Sequence, residues 1–300
     1  MDQTQNKELE RKKKLSPKQI KKRQGILRFI IQVIFFVLAP GAYSASFNGS
    51  KYILTQIGAN QLIKWNSFIA MMIALLAYTI VFGRFFCGYA CSFGALGDWL
   101  HSIYVYICKK LKAKPYRLNA EKGRKLLYIK YVVLILILFL CYLGIYSKLP
   151  NWSPWSLFSM IRSGNFAFAG YSIAIIVFLG IIIGMIFIER FFCRFLCPMG
   201  AIFSLMPVLP FLTLHRHREK CIPNCKACTN TCPCGVGLPN DTNWGISGEC
   251  IACQKCVCIC PKHNIHTGLG AKEKEIKGNE AWYVLLRASI LLALVIWLGA

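Results

Sequence analysis

The sequence predicts a mainly α-helical, polytopic membrane protein with one polar domain inserted before its last helix. Three observations carry this: apolar blocks long enough to cross a bilayer, a one-sided distribution of lysine and arginine, and an internal duplication bearing paired cysteines. Of the 300 residues, 56% are hydrophobic and 16% charged, against about 25% charged in ordinary soluble domains. There are 36 basic and 12 acidic side chains, a formal charge of +24, and 16 cysteines. This composition excludes a disordered chain, an acidic binding module and an ordinary cytosolic enzyme. A soluble nucleic-acid binder is excluded as well, because its basic charge would not come with bilayer-length apolar blocks.

A spanning helix needs about 20 mostly apolar residues. Five stretches qualify: 26–46, 65–86, 126–147, 166–189 and 281–300. The first follows a basic segment, 1–25, and ends in Ala42-Tyr43-Ser44-Ala45, a pattern shared with signal peptides. A 25-residue leader is long for a signal peptide, and the duplication below includes the segment, so it is read as a retained span. The third block, with VVLILILFLCYLGIY, is the clearest.

Cytoplasmic loops are enriched in lysine and arginine. Thirty-two of the 36 basic residues fall in 1–28, 84–130 and 190–287; the intervening loops hold only Lys51, Lys64, Lys148 and Arg162. The expected topology is a multi-pass protein of the cell membrane with a cytoplasmic N-terminus and an extracytoplasmic C-terminus. The charge then marks topology, and no nucleic-acid partner is expected.

The second and fourth blocks end alike. Arg84-Phe85-Phe86-Cys87-Gly88-Tyr89-Ala90-Cys91 returns, 106 residues on, as Arg190-Phe191-Phe192-Cys193-Arg194-Phe195-Leu196-Cys197, and Gly-Ala follows three residues after the second cysteine in both. The membrane domain, 26–214, is therefore read as two copies of one helical hairpin related by a pseudo-two-fold axis along the membrane normal. Cysteines four apart on a helix share a face. Cys87, Cys91, Cys193 and Cys197 are thus candidates for a redox or metal site, with a reversible dithiol pair or simple packing of small soft side chains as the alternatives.

The polar domain, 215–280, carries two further cysteine runs. Cys221, Cys225, Cys228 and Cys232-Pro233 form the first; Cys250, Cys253, Cys256 and Cys260-Pro261 form the second, which matches C-x2-C-x2-C-x3-C-P. In two-cluster bacterial ferredoxins the fourth cysteine of each run ligates the other cluster. Spacing therefore assigns Cys221, Cys225, Cys228 and Cys260 to one [4Fe–4S] cluster and Cys232, Cys250, Cys253 and Cys256 to a second. The first run has three residues, not two, between Cys221 and Cys225, so Cys234 stands as a substitute ligand; Cys258 reads as a buried filler. Zinc is the competing reading of four cysteines, and disulfides are disfavoured on the reducing side of the membrane. His215 and His217, at the junction with the membrane domain, read as interface residues that could also face a quinone. The stretch 201–214 is too short to span and is expected at the membrane interface. The aromatic loop Trp152–Phe158 is expected in an outer aromatic belt or at a quinone-binding lip. No Cys-x-x-Cys-His, Walker loop or glycine-rich nucleotide fingerprint occurs.

Taken together, the two C-x3-C motifs, the Trp152-x3-Ser156-Leu157 loop and the paired cysteine runs resemble the NapH-type membrane-bound ferredoxins, quinol dehydrogenase components of periplasmic nitrate reduction. The polytopic part of the nitrous-oxide reductase regulator is similar. The resemblance covers about 26–266 and implies a multi-pass protein with two cytoplasmic [4Fe–4S] clusters. It would pass electrons between the quinone pool or a cytoplasmic donor and a partner on the far side, such as a cytochrome, a flavoprotein or another ferredoxin subunit. It also implicates the C-x3-C cysteines, here Cys87, Cys91, Cys193 and Cys197, in that relay. Ser92 departs from the proline of the family motif. A fifth span belongs instead to copper-handling oxidase-assembly relatives, so an iron–sulfur copper reductase or assembly factor is the alternative function.

Overall fold

The computed structural model describes residues 17–116, 125–148, 152–162, 169–209, 211–238, 247–269 and 280–299, with 118, 123 and 164–165. Most of the basic N-terminal segment, and the 270–279 link between the polar domain and the last helix, lie outside the described residues.

The chain opens with α1 (Pro17–Leu38) and α2 (Ala42–Gly58). The expected span 26–46 is not one helix, because the axes of these two meet at 59°. Pro40 and Gly41 are the cause: proline lacks the N–H that would continue the ladder, and its ring disfavours helical backbone just before it. Next comes α3 (Ser67–Phe82), whose first turn is capped by Asn66 Oδ1 accepting from Ile69 N at 2.9 Å. Beyond α3 lie α4 (Ser92–Lys110), α5 (Ile129–Tyr142), α6 (Pro154–Arg162) and α7 (Ser172–Phe187). After these, α8 (Pro198–Leu205) leads to strand β1 (Phe211–Arg216). The polar domain adds short helices α9 (Ala227–Thr231) and α10 (Lys255–Ile259), then β2 (Ile265–Leu269), and α11 (Glu280–Trp297) closes the fold.

Helices α3, α5 and α7 fall within the second, third and fourth apolar blocks, and α11 overlaps the fifth. Among the described residues, only α11 is by itself long and apolar enough to cross a bilayer; α1 and α2 pass as a bent pair, and α3, α5 and α7 are apolar but shorter.

The duplicated motif folds alike in both copies. Phe86–Ala90 and Phe192–Leu196 each form one π-helical turn, closed by Cys91 N donating to Phe86 O and Cys197 N donating to Phe192 O, both at 2.9 Å. Such wide turns are rare and concentrate at functional sites. Where an α-helical face was expected, each C-x3-C pair spans a π-turn, and the second cysteine leaves it in extended backbone.

The chain also reverses here. Along α4 and α7, Phe93 meets Phe178 at 6.3 Å, His101 Nδ1 bonds Ile186 O at 2.9 Å, and Tyr104 meets Phe187 at 5.4 Å. These helices therefore run side by side in one direction. The start of α4, with Cys91, stands level with the middle of α7, so the first π-turn points back into the bundle.

Three smaller expectations change. Segment 201–214 is partly packed inward: α8 buries Ala201 and Phe203, and Phe203 meets Phe86 edge-on, while Leu205 and Leu209 are exposed. The Trp152–Phe158 loop does not form an outer belt, because Leu157 and Phe158 are buried and α6 lies against the bundle core; Trp152 alone stays exposed. His215 belongs to β1, which pairs antiparallel with β2 in register His215↔His266, and His217 directly follows the strand; His215 is buried and His217 stacks on His266 at 4.7 Å. The ladder needs extended backbone and closes the polar domain, which draws these rings inward.

Candidate functional site

Cys221, Cys225, Cys228 and Cys260 line one cavity, with Ile222, Ala227 and Ile265 as apolar wall and Arg216 and Lys262 as its cations. The loop before α9 and the first turn of α9 bring the first three together, and the turn after α10 delivers the fourth. Asn264 N donates to Cys260 Sγ at 3.3 Å, and Arg216 Nη1 stands 3.9 Å from Cys228 Sγ. Despite the extra residue in the first run, Cys221 faces this cavity. Cys234 does not: it is buried beside Cys232, Cys250, Cys253 and the Arg84 guanidinium.

Cys232, Cys250, Cys253 and Cys256 form a second neighbourhood, each within electrostatic range of the others. Burial pushes the Cys250 thiol up to about 12 and drives Cys256 higher still. Charging such thiols in a closed site needs a bound cation, so the chemistry of the donor set fits a cofactor that binds thiolate.

The duplicated pairs form a third group. Cys87, Cys91, Cys193 and Cys197 are each 4–6% exposed, and they interact electrostatically across the two copies. Gly200 N donates to Cys197 Sγ at 3.1 Å, and Tyr43 Oη lies 3.6 Å from the same sulfur. Above them sits an aromatic cap: Phe93 lies 4.4 Å from Phe158 and 5.0 Å from Phe192, and Trp155 lies 6.4 Å from Tyr43.

Two buried arginines tie the copies together. Arg190 of the second copy reaches the Cys87 carbonyl of the first through Nη1 and the Gly88 carbonyl at 2.8 Å. Reciprocally, Arg84 of the first copy lies against Gly200 of the second, where an added Cβ would meet its Nη2 at 3.0 Å. Each arginine shares a carboxylate with a second cation. Asp98 accepts from Arg190 at 2.5 Å and Arg28 at 2.7 Å. Glu249 accepts from Lys130 at 2.5 Å and Arg84 at 3.2 Å, and Tyr131 Oη donates to it at 3.1 Å. Burial alone would raise the Glu249 carboxyl, but Arg84 and Lys130 outweigh it and hold the group below its usual range.

The polar domain rests on the first π-turn. A Cβ at Gly88 would overlap the Ile251 carbonyl oxygen, so that glycine admits the backbone of the second cysteine run. Lys255 pairs with Glu189, and Cys258 meets Gln24 of α1. Cys258 is thus a contact between domains. Among the described residues, no three His, Cys, Asp or Glu side chains stand close enough to share a single metal ion.

Sequence reasoning named the three cysteine groups but missed Arg84, Arg190, Asp98, Glu249, Lys130 and Tyr43. One signal was available: the duplication repeats its arginine as faithfully as its cysteines, and acidic residues inside apolar surroundings are scarce.

A protein-family profile described as a 4Fe-4S binding domain matches residues 66–114 and 172–211, the stretches that contain the two π-turns. Two uncharacterized proteins of Methanocaldococcus jannaschii are similar. One is 31% identical over 79% of this chain and 84% of its own length; the other is 29% identical over 83% and 98%. The ferredoxin-type protein NapH of Haemophilus influenzae is 26% identical over 64% of each chain. No solved structure matches the chain.

Proposed function

The chain belongs to the NapH-type family of membrane-bound iron–sulfur ferredoxins, and from that premise we propose that it carries two [4Fe–4S] clusters in a cytoplasmic domain. In this reading it passes electrons between the quinone pool or a cytoplasmic donor and a redox protein across the membrane. The observation that carries it is the cavity lined by Cys221, Cys225, Cys228 and Cys260, with Cys232, Cys250, Cys253 and Cys256 gathered next to it. Those sets would hold the first and second cluster respectively. When bound, the clusters supply one-electron transfer.

The chain's own residues would tune and connect these sites. Asn264 N–H and the Arg216 guanidinium face the Cys260 and Cys228 sulfurs, and hydrogen bonds or positive charge at sulfur favour the reduced state. Cys225 is exposed, so a soluble donor or acceptor can approach the first set from water. The second run lies on the first π-turn through the Ile251–Gly88 contact, which directs the far edge of the domain into the helical bundle.

Exposed apolar faces support a membrane location. Val132, Ile135, Leu136 and Phe139 on α5, and Ile176, Leu179 and Ile183 on α7, are all exposed. Contiguous apolar surface on that scale belongs against lipid or protein. We place α1–α2, α3, α5, α7 and α11 as the five crossings, with the N-terminus and polar domain in the cytoplasm by the lysine and arginine distribution.

The test is anaerobic purification of the full chain, dithionite reduction and low-temperature EPR. Two interacting [4Fe–4S] signals are expected, with Cys225→Ser altering one and Cys253→Ser the other. A reduced protein without any [4Fe–4S] signal would overturn the reading.

A further inference from the structure

The two buried ion networks are not neutral. Each holds one carboxylate between two cations, Asp98 between Arg28 and Arg190 and Glu249 between Lys130 and Arg84, so each keeps one unmatched positive charge. Arg84 and Arg190 are 1–2% exposed and Lys130 is fully buried. Uncompensated charge in such surroundings is costly, and buried charges are normally paired or serve a bound ion. The unmatched charges border the cysteines. Arg190 Nη1 lies 4.0 Å from Cys193 Sγ, and the Arg84 guanidinium faces Cys87.

We propose that Cys87, Cys91, Cys193 and Cys197 hold a third iron–sulfur cluster, inside the helical bundle, whose negative charge the two arginine networks balance. An oxidised two-iron or four-iron core is dicationic, so four thiolates around it make a dianion that matches the two unmatched charges. The local donors agree with this: Gly200 N–H and Tyr43 Oη both face Cys197 Sγ, as donors do around ligating sulfur. A single tetrahedral ion with metal–sulfur bonds of about 2.3 Å would need its thiolates within about 4 Å of one another. The described cysteines do not gather that tightly, whereas a multi-iron core asks for at most two thiolates per iron or holds its ligands farther apart. Position gives the cluster its use: Cys87 adjoins Gly88, which touches Ile251 beside Cys250, while the opposite edge lies under Tyr43, Trp155 and Phe158. The site would stand as a station between the polar domain and the far half of the bundle. Its role rests on the electron-transfer reading above, but its occupancy does not.

The full chain, purified without oxygen in detergent, gives the test. Wild type should hold iron and acid-labile sulfide beyond what two cubanes contain. A variant with serine at the eight polar-domain cysteines assigned to the two clusters should keep that remainder, with a reducible EPR signal of its own. Cys193→Ser/Cys197→Ser should lose the remainder and keep the signals of the polar domain. Zinc, copper or no metal in the eight-serine protein that still elutes as a folded monodisperse species would overturn the site. So would wild-type iron in Cys193→Ser/Cys197→Ser. Should the eight-serine protein fail to fold, wild type against the double variant decides alone, with equal iron and sulfide overturning the proposal. Loss of the polar-domain signals with the remainder intact would sink the two-cluster reading and leave this one standing.

Discussion

The two copies of the duplicated unit make the same turn but complete it differently. Arg190 of the second copy finds its carboxylate inside the helical bundle, in Asp98 of α4. The residue 106 positions beyond Asp98 is Ser204, which cannot serve Arg84 in the same way. Arg84 instead uses Glu249, a residue of the polar domain next to Cys250, while Ser204 and Tyr131 bond each other at 2.9 Å at the edge of that pair. One half of the pseudo-symmetric core is therefore closed by its own acid, and the other only when the polar domain docks. The fourth residue after each arginine shows the same division. Gly88 admits the Ile251 backbone by lacking a side chain, whereas its counterpart Arg194 reaches the Pro233 carbonyl at 3.2 Å. Duplication built the frame, and divergence at a few positions made a seat for the inserted domain.

Breaking the internal acid should cost most. Asp98→Asn leaves Arg28 and Arg190 buried without a counter-charge, an expected loss of about 3–5 kcal/mol, visible as collapse of folded yield and thermal midpoint in detergent. Glu249→Gln should cost less, about 2 kcal/mol, because its side chain is 20% exposed and water can reach the site. Its signature is release of the polar domain, read as faster limited proteolysis at 215–280 with the helical bundle intact. Unchanged proteolysis would remove Glu249 from its docking role.

Acid titration sharpens the same contrast. The native Glu249 carboxyl is held low, so its contribution is complete above the unfolded value of about 4.3 and is lost as pH falls through the lower native value. Domain release on acidification should weaken in Glu249→Gln. Gly88→Ala should shift or loosen the seat by overpacking against Ile251, about 1–3 kcal/mol, while Arg194→Ala removes one charged hydrogen bond to Pro233, about 1 kcal/mol. The gentlest test restores symmetry: Ser204→Asp in the Glu249→Gln background should recover about 1 kcal/mol by giving Arg84 an acid in the helical bundle. Recovery of the thermal midpoint without recovery of protease resistance would separate core neutralisation from docking.

Local pattern was legible where one element decides it. The apolar blocks located α3, α5, α7 and α11, since a long run of Leu, Ile, Val and Phe leaves few other choices. Cysteine spacing picked out four residues that line one cavity, because three closely spaced cysteines travel together on one short segment. The block 26–46 misled, because composition outweighed Pro40-Gly41 in the reading, and the aromatics of 152–158 read as surface because aromatics suit both interfaces and cores.

By itself, the sequence determined the family, the duplicated unit, the residues that carry thiol chemistry and the segments in which basic charge accumulates. All of these follow from residue identity and short-range spacing. Only the tertiary structure decided that the first π-turn points back into the bundle, that four cysteines from two copies come within electrostatic reach of one another, and that Asp98 serves Arg190 while Glu249 serves Arg84. Those partners lie 92 and 165 residues apart. A buried charge is satisfied by whichever opposite charge the packing brings to it, and that choice is made in space, where sequence separation has no part.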